Sequence, residues 1–213
     1  MKHGKAMAMF ACGFLLGSAL ASLHSTASAG VTVSAVPEQA PATPAAPKSR
    51  LPFVIYAGDA ISKPYSPTGW MGNTGSVGFN DRCTESPHSG ATCIKLEYKA
   101  TTEWAGIVWQ DPPNDWGDRN GGHDLTGASK LTFWARGAAG GETVEFYFGV
   151  IKTDKPFSDS DTGRITVTLM RTWSQYSIDL TGKNLSRIKT GFGWSLAGQG
   201  RPVTFYLDDI QYE

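Results

Sequence analysis

The sequence predicts an all-β protein: a two-sheet antiparallel β-sandwich of jelly-roll type. Three observations predict it. After residue 50 no window sustains an apolar i, i+3, i+4, i+7 pattern. Short runs alternate apolar and polar residues instead. Clusters of Gly, Pro, Asn and Asp, of which "GAAGGE" and "LTGKN" are the clearest, separate those runs as turns. Alternation gives each strand one buried face, and two stacked sheets bury all such faces together. No internal repeat of fixed period interrupts this pattern.

The chain has 213 residues, and its first 29 read as a secretory leader. Lys2 and Lys5 form a positive start, Ala6 to Leu23 is an apolar run, and Ala27-Ser28-Ala29 is a cleavage site. A mature chain starting at Gly30 is secreted, to a periplasm or to the medium, with no membrane insertion after cleavage. Residues 30–50, with four prolines among small residues, read as an extended tether. Residues 51–213 then form one domain with a sizeable core. Of 19 Lys and Arg, the leader removes Lys2 and Lys5, leaving 17 against 19 Asp and Glu. That near-neutral balance argues against a nucleic-acid partner and gives no support to membrane-surface binding.

The strands follow in order. "ATCIKLEYK" puts Ile94, Leu96 and Tyr98 on one face; "KLTFWAR" groups Leu131, Phe133 and Ala135. "TVEFYFGVI" groups Val144, Phe146, Phe148 and Val150, and "RITVTL" groups Ile165, Val167 and Leu169. "WSQYSIDL" groups Tyr176, Ile178 and Leu180; "IKTGFGW" and "VTFYLDDIQY" complete the set. In the last run Leu207 and Ile210 are three apart yet both suit the core, so a bulge is expected between them. Asp208 and Asp209, at that bulge, repel each other and need compensation. Either a Ca²⁺ ion supplies it, or one caps a turn while the other faces water.

Cys83 and Cys93 bracket "TESPHSGAT", a run of turn formers. In an exported chain they are expected to form a disulfide, worth roughly 3 kcal/mol by chain-entropy reasoning. No second Cys pair accompanies them, which argues against a metal site at these thiols. "KTDKPFSDSDTGR" gathers Asp154, Asp159 and Asp161 but lacks the closing Glu of an EF-hand, so it reads as a solvated loop.

Three stretches together resemble a known group. "GGHDLTGASKLTFWARG", "TWSQYSIDLTGKNLSRIKTGFGWSL" and "TFYLDDIQYE" are similar, in order and spacing, to segments of secreted carbohydrate-binding modules of the galactose-binding-like type. The resemblance implies a jelly-roll sandwich of eight to ten strands with a structural Ca²⁺. It assigns that ion to Asp208 or Asp209, with Asp59 of "YAGDAI" and backbone oxygens of the "HSGATCIK" turn as partners.

The Trp-rich stretch "EWAGIVWQDPPNDWGD" lies outside those shared segments and carries Trp104, Trp109 and Trp116 within thirteen positions. A sugar offers apolar C–H faces rimmed by hydroxyls. Flat indoles beside short polar side chains suit both parts of it. Trp104, Trp109 and Trp116 are therefore the candidate stacking residues, and Asp111, Arg119 and His123 the candidate polar contacts. For each indole the competing reading is core packing, since Trp104 and Trp109 flank the apolar run Ala105 to Val108.

The expected function is non-catalytic binding of a carbohydrate polymer or oligosaccharide. The alternatives are a secreted structural or protein-interaction sandwich, and a polysaccharide lyase or hydrolase. The last is disfavoured because no R-x-E-x-R, Q-(I/V)-H, G-x-S-x-G or H-E-x-x-H string occurs.

Overall fold

The computed structural model describes residues 43–58 and 64–213. The expected leader, most of the expected tether and Asp59 lie outside the described residues. Among those described, the chain forms eleven strands, where the resemblance implied eight to ten. They are β1 (Phe53–Tyr56), β2 (Ser66–Gly72), β3 (Val77–Cys83), β4 (Cys93–Tyr98), β5 (Trp104–Gln110) and β6 (Lys130–Gly137). β7 (Thr143–Phe148), β8 (Gly163–Thr168), β9 (Ser174–Asp179), β10 (Thr190–Ala197) and β11 (Val203–Tyr212) follow. None of the described helices is long and apolar enough to cross a membrane.

Every strand pairing is antiparallel. One sheet has six strands in the order β3-β4-β11-β6-β9, with β1 also on β11; the other has five, β2-β5-β10-β7-β8. The predicted faces meet between them, except that Val150 lies beyond the end of β7 and outside the core. Ile94, Leu96, Leu131, Phe133, Val144 and Phe146 are all fully buried there, and burial of each large side chain contributes about 1.5–3 kcal/mol. Phe133, Phe146 and Phe192 form an aromatic centre with ring centroids 4.6–6.0 Å apart.

β2 and β3 escape the alternation reading. "SPTGWMG" looks like a loop, but it is an edge strand that pairs with β5 alone, where Pro67 breaks no ladder on a second side. β5, the first part of the Trp-rich stretch, lies between β2 and β10.

The expected bulge in β11 is present. Pairing with β6 shifts between Asp208 and Gln211, and Asp209 has φ of 46°. On its other edge, β11 pairs with β4 through Leu207 and with β1 from Ile210 onward. The two aspartates thus stand where one neighbouring strand ends and another begins. The β3–β4 loop fills that break: Asp208 Oδ2 accepts the backbone N–H of His88 (2.9 Å) and of Ser89 (3.2 Å).

That loop corrects the disulfide expectation. Cys83 and Cys93 are register partners at its base, but their thiols are free and buried. They pack with Tyr206 and Trp173 as small apolar groups, and burial, followed by the neighbouring Cys83, pushes the Cys93 thiol up to about 12. The loop is closed by hydrogen bonds to carboxylates instead.

The last part of the expected tether is attached to the sandwich. Ser49 N–H donates to Asp124 O (2.8 Å), and Asp124 N–H donates to Pro47 O (2.9 Å).

Candidate functional site

Period-two geometry sends alternate residues of β5 to opposite faces. Ala105, Ile107 and Trp109 point into the core. The remaining side of β5, with Trp104, Gly106, Val108 and Gln110, therefore belongs to the outer face. Trp109 is 3% exposed and packs on Phe79 and Phe192, which corrects the expectation that its indole is open to a ligand. Trp104 is 50% exposed.

Beside Trp104 the outer face of the five-stranded sheet holds a shallow cleft of about 320 Å³. Its lining includes Trp104, Glu145, Thr166 and Ser195. Gly106, Ser195, Glu145 and Thr166 are successive register partners across β5, β10, β7 and β8, so the sheet itself sets their spacing. The Glu145 carboxylate lies 3.5 Å from Arg164 Nη1 and 3.4 Å from Ser195 Oγ, long contacts that leave spare hydrogen-bonding capacity. A second hollow of about 480 Å³, lined by Gly72, Asn73 and Glu103, also borders Trp104.

The floor alongside is built by a glycine. Gly193 is the register partner of Val108 and of Tyr147, and a Cβ there would fall 2.5 Å from the Tyr147 ring. The ring therefore lies across β10, with its hydroxyl donating to Trp194 O at 3.0 Å. Burial pushes that phenol up to about 12.

At the far end of β5, about 20 Å from Trp104 at ~3.3 Å per residue, the chain turns into the loop carrying Trp116. A buried ion pair shapes this loop. Asp115 is 3% exposed; its carboxylate meets Lys189 Nζ at 2.5 Å and accepts the backbone N–H groups of Gly117 and Arg119 at 3.1 Å. Burial acts to raise this carboxyl. The Lys189 ammonium and the two backbone donors outweigh it and hold the group below the usual carboxylate range. Its carbonyl accepts Gln110 Nε2 at 2.8 Å. Gly117 has φ of +97°, and a Cβ there would crowd Ile151 and Lys155 at 2.7 Å, so the turn requires glycine. Trp116 is held 38% exposed between these anchors.

The other expected contacts act within the loop. Asp111 Oδ2 accepts Gly122 N–H at 2.8 Å. Arg119 is tied to Asp115 Oδ1 (3.4 Å) and Pro113 O (2.6 Å), yet its side chain stays 58% exposed. The His123 ring packs between Phe53 (4.9 Å) and Tyr65 (5.0 Å), with its side chain 19% exposed. Glu145, Arg164, Thr166 and Ser195 were missed by sequence reasoning. They come from three strands, and no local spacing links β8's Arg164 and Thr166 to Glu145 of β7 or Ser195 of β10.

The carboxylates expected to hold Ca²⁺ have another arrangement. Besides the two N–H groups on Asp208 Oδ2, Asp208 Oδ1 accepts Asp209 N–H (2.9 Å). Asp209 Oδ1 accepts Ser89 Oγ–H (2.7 Å), and Asp209 Oδ2 lies 2.7 Å from His88 Nδ1. Each of the four oxygens already has a protein partner, and Asp208 Oδ2 takes two backbone N–H groups. As arranged, the pair does not fit a resident Ca²⁺. Among the described residues no group of three His, Cys, Asp or Glu side chains converges as metal ligands.

Solved structures similar to this chain include carbohydrate-binding modules. One is the family 30 module of the cellulosomal cellulase Cel9D-Cel44B of Clostridium thermocellum: 17% identity, 77% of this chain and 98% of that one covered, TM-score 0.54. Another is the family 11 module of the same organism in complex with a β-1,3-1,4-mixed-linked tetrasaccharide: 14% identity, 77% and 96% covered, TM-score 0.52. At these identities the likeness is one of fold. No protein-family model matches the chain, and no curated protein matches it.

Proposed function

We propose that this domain is a secreted, non-catalytic carbohydrate-binding module that holds a β-glucan chain against the outer face of its five-stranded sheet. The observation that carries the proposal is the half-exposed indole of Trp104 beside a cleft lined by Glu145, Thr166 and Ser195. An indole covers the C–H face of a pyranose; the carboxylate and hydroxyls meet its rim. The shared fold supports the class, and the tetrasaccharide held by the family 11 module supports a β-glucan as the ligand to test first. Among the residues lining the cleft, Glu145 is the one carboxylate. The module fold of the similar structures is what favours retention over cleavage. Secretion rests on the leader reading of residues 1–29.

Affinity electrophoresis in mixed-linked β-1,3-1,4-glucan tests the reading. The protein is expected to be retarded, with Trp104→Ala removing most of the retardation and no reducing ends released. Unretarded protein, or retardation that survives Trp104→Ala, overturns it.

A further inference from the structure

The opposite sheet carries a different kind of pocket. On the outer face of the six-stranded sheet, Arg136 of β6 is the register partner of Tyr206 in β11. Its guanidinium lies over the Tyr206 ring at 3.7 Å from the centroid and 5.2 Å from that of Trp173. Trp173 is fixed in turn, because its indole N–H donates to Ser86 O at 2.9 Å. Ser86, Arg136, Arg171, Thr172 and Trp173 line a hollow of about 450 Å³, a size suited to a small ligand.

The charge in this hollow is one-sided. No carboxylate lines it. The nearby Glu85, whose carboxyl also feels the Arg136 charge, has one oxygen at 3.0 Å from Lys95 Nζ and the other accepting the Tyr206 hydroxyl at 2.7 Å. Arg136 has five N–H groups to satisfy. Its Nη2 donates to the Glu85 carbonyl at 2.8 Å, while its buried Nε has no acceptor among the described residues. A planar guanidinium pinned on an aromatic ring, with a second arginine at the same wall, matches a carboxylate in geometry and charge. The cleft at Trp104 differs, since there Arg164 is matched by Glu145.

We propose that this pocket is a second glycan subsite, on the sheet opposite the Trp104 cleft, that takes the carboxylate of a uronic-acid residue. Arg136 and Arg171 hold the carboxylate, and the indole of Trp173 walls the sugar ring. The domain would thereby hold an acidic polysaccharide independently of the neutral chain at Trp104.

Calorimetric titration of the full chain with trigalacturonate, and with neutral galactotriose as control, tests this. Trigalacturonate alone is expected to bind, with affinity falling as salt rises. Arg171→Gln is expected to weaken it about tenfold, the loss of one charged hydrogen bond. Arg171 is exposed, so that variant keeps the fold. Arg136→Lys, which keeps the charge but loses the planar fork, is expected to weaken binding as well. Trp104→Ala is expected to leave it unchanged, which separates this site from the proposed β-glucan cleft. Absent binding, equal binding of galactotriose, insensitivity to Arg171→Gln, loss on Trp104→Ala, or full displacement by equimolar inorganic sulfate each overturns the proposal.

Discussion

The Lys189 ammonium and the Asp115 carboxylate lie 2.5 Å apart, with side chains 0% and 3% exposed. Lys189 stands just before β10, and Asp115 sits at the heart of the loop that presents Trp116. The pair therefore joins the rigid sheet to the loop. Lys189 Nζ also donates to Arg119 O at 2.5 Å, which fixes the far side of the same turn. Removing one partner of a buried ion pair strands the other charge away from water. Lys189→Met is expected to lower unfolding free energy by about 3–5 kcal/mol. Urea denaturation followed by tryptophan fluorescence measures it; a change under about 1 kcal/mol would show that the pair is dispensable.

Acid should release the same loop. The Asp115 carboxyl is held below its unfolded value, so its contribution to stability is complete above about pH 4 and is lost as pH falls through the lower, folded value. Asp159 works in the opposite sense. Burial raises its carboxyl despite bonds from Thr190, Ile151 and Lys189, so stability linked to it declines as pH rises from about 4. Comparing melting curves of the wild type and Asp115→Asn between pH 5 and pH 2 isolates the first effect. The variant is expected to show the flatter acid limb, and parallel limbs would contradict the assignment.

Trp109 and Trp104 share a strand but should respond oppositely to truncation. Trp109→Ala opens a cavity between the sheets and is expected to cost about 3–5 kcal/mol of stability. Trp104→Ala removes an indole that is half in water and is expected to cost less than about 1 kcal/mol. Thermal denaturation of the two variants side by side decides this, and equal losses would mean that Trp104 is also structural.

Chelation examines the two aspartates of β11. Because His88, Ser89 and the Asp209 backbone already satisfy Asp208 and Asp209, EDTA is expected to leave the melting temperature within about 1 °C. A metal bound only by the native state would stabilise it by mass action. A fall of several degrees, reversed by added Ca²⁺, would therefore show that the β3–β4 loop rearranges around an ion.

The sequence by itself determined the strands with clean alternation, the residues each sends inward, and the bulge between Leu207 and Ile210. Those features depend on the two-residue period of a single strand, which is a local property. Parity along β5 also implies that Trp104 and Trp109 face opposite ways. Only the tertiary structure decided which of the two is open. That depends on which side of β5 meets the other sheet. It also decided the polar half of the cleft. Glu145, Ser195 and the β8 pair Arg164 and Thr166 are far apart in the chain and meet only because β10, β7 and β8 pair in that order. The occupied carboxylates were decided there too, because the β3–β4 loop reaches β11 across more than a hundred residues of intervening chain. Long-range pairing has no signature in local spacing, so chemistry assembled by it becomes visible only once the sheets have formed.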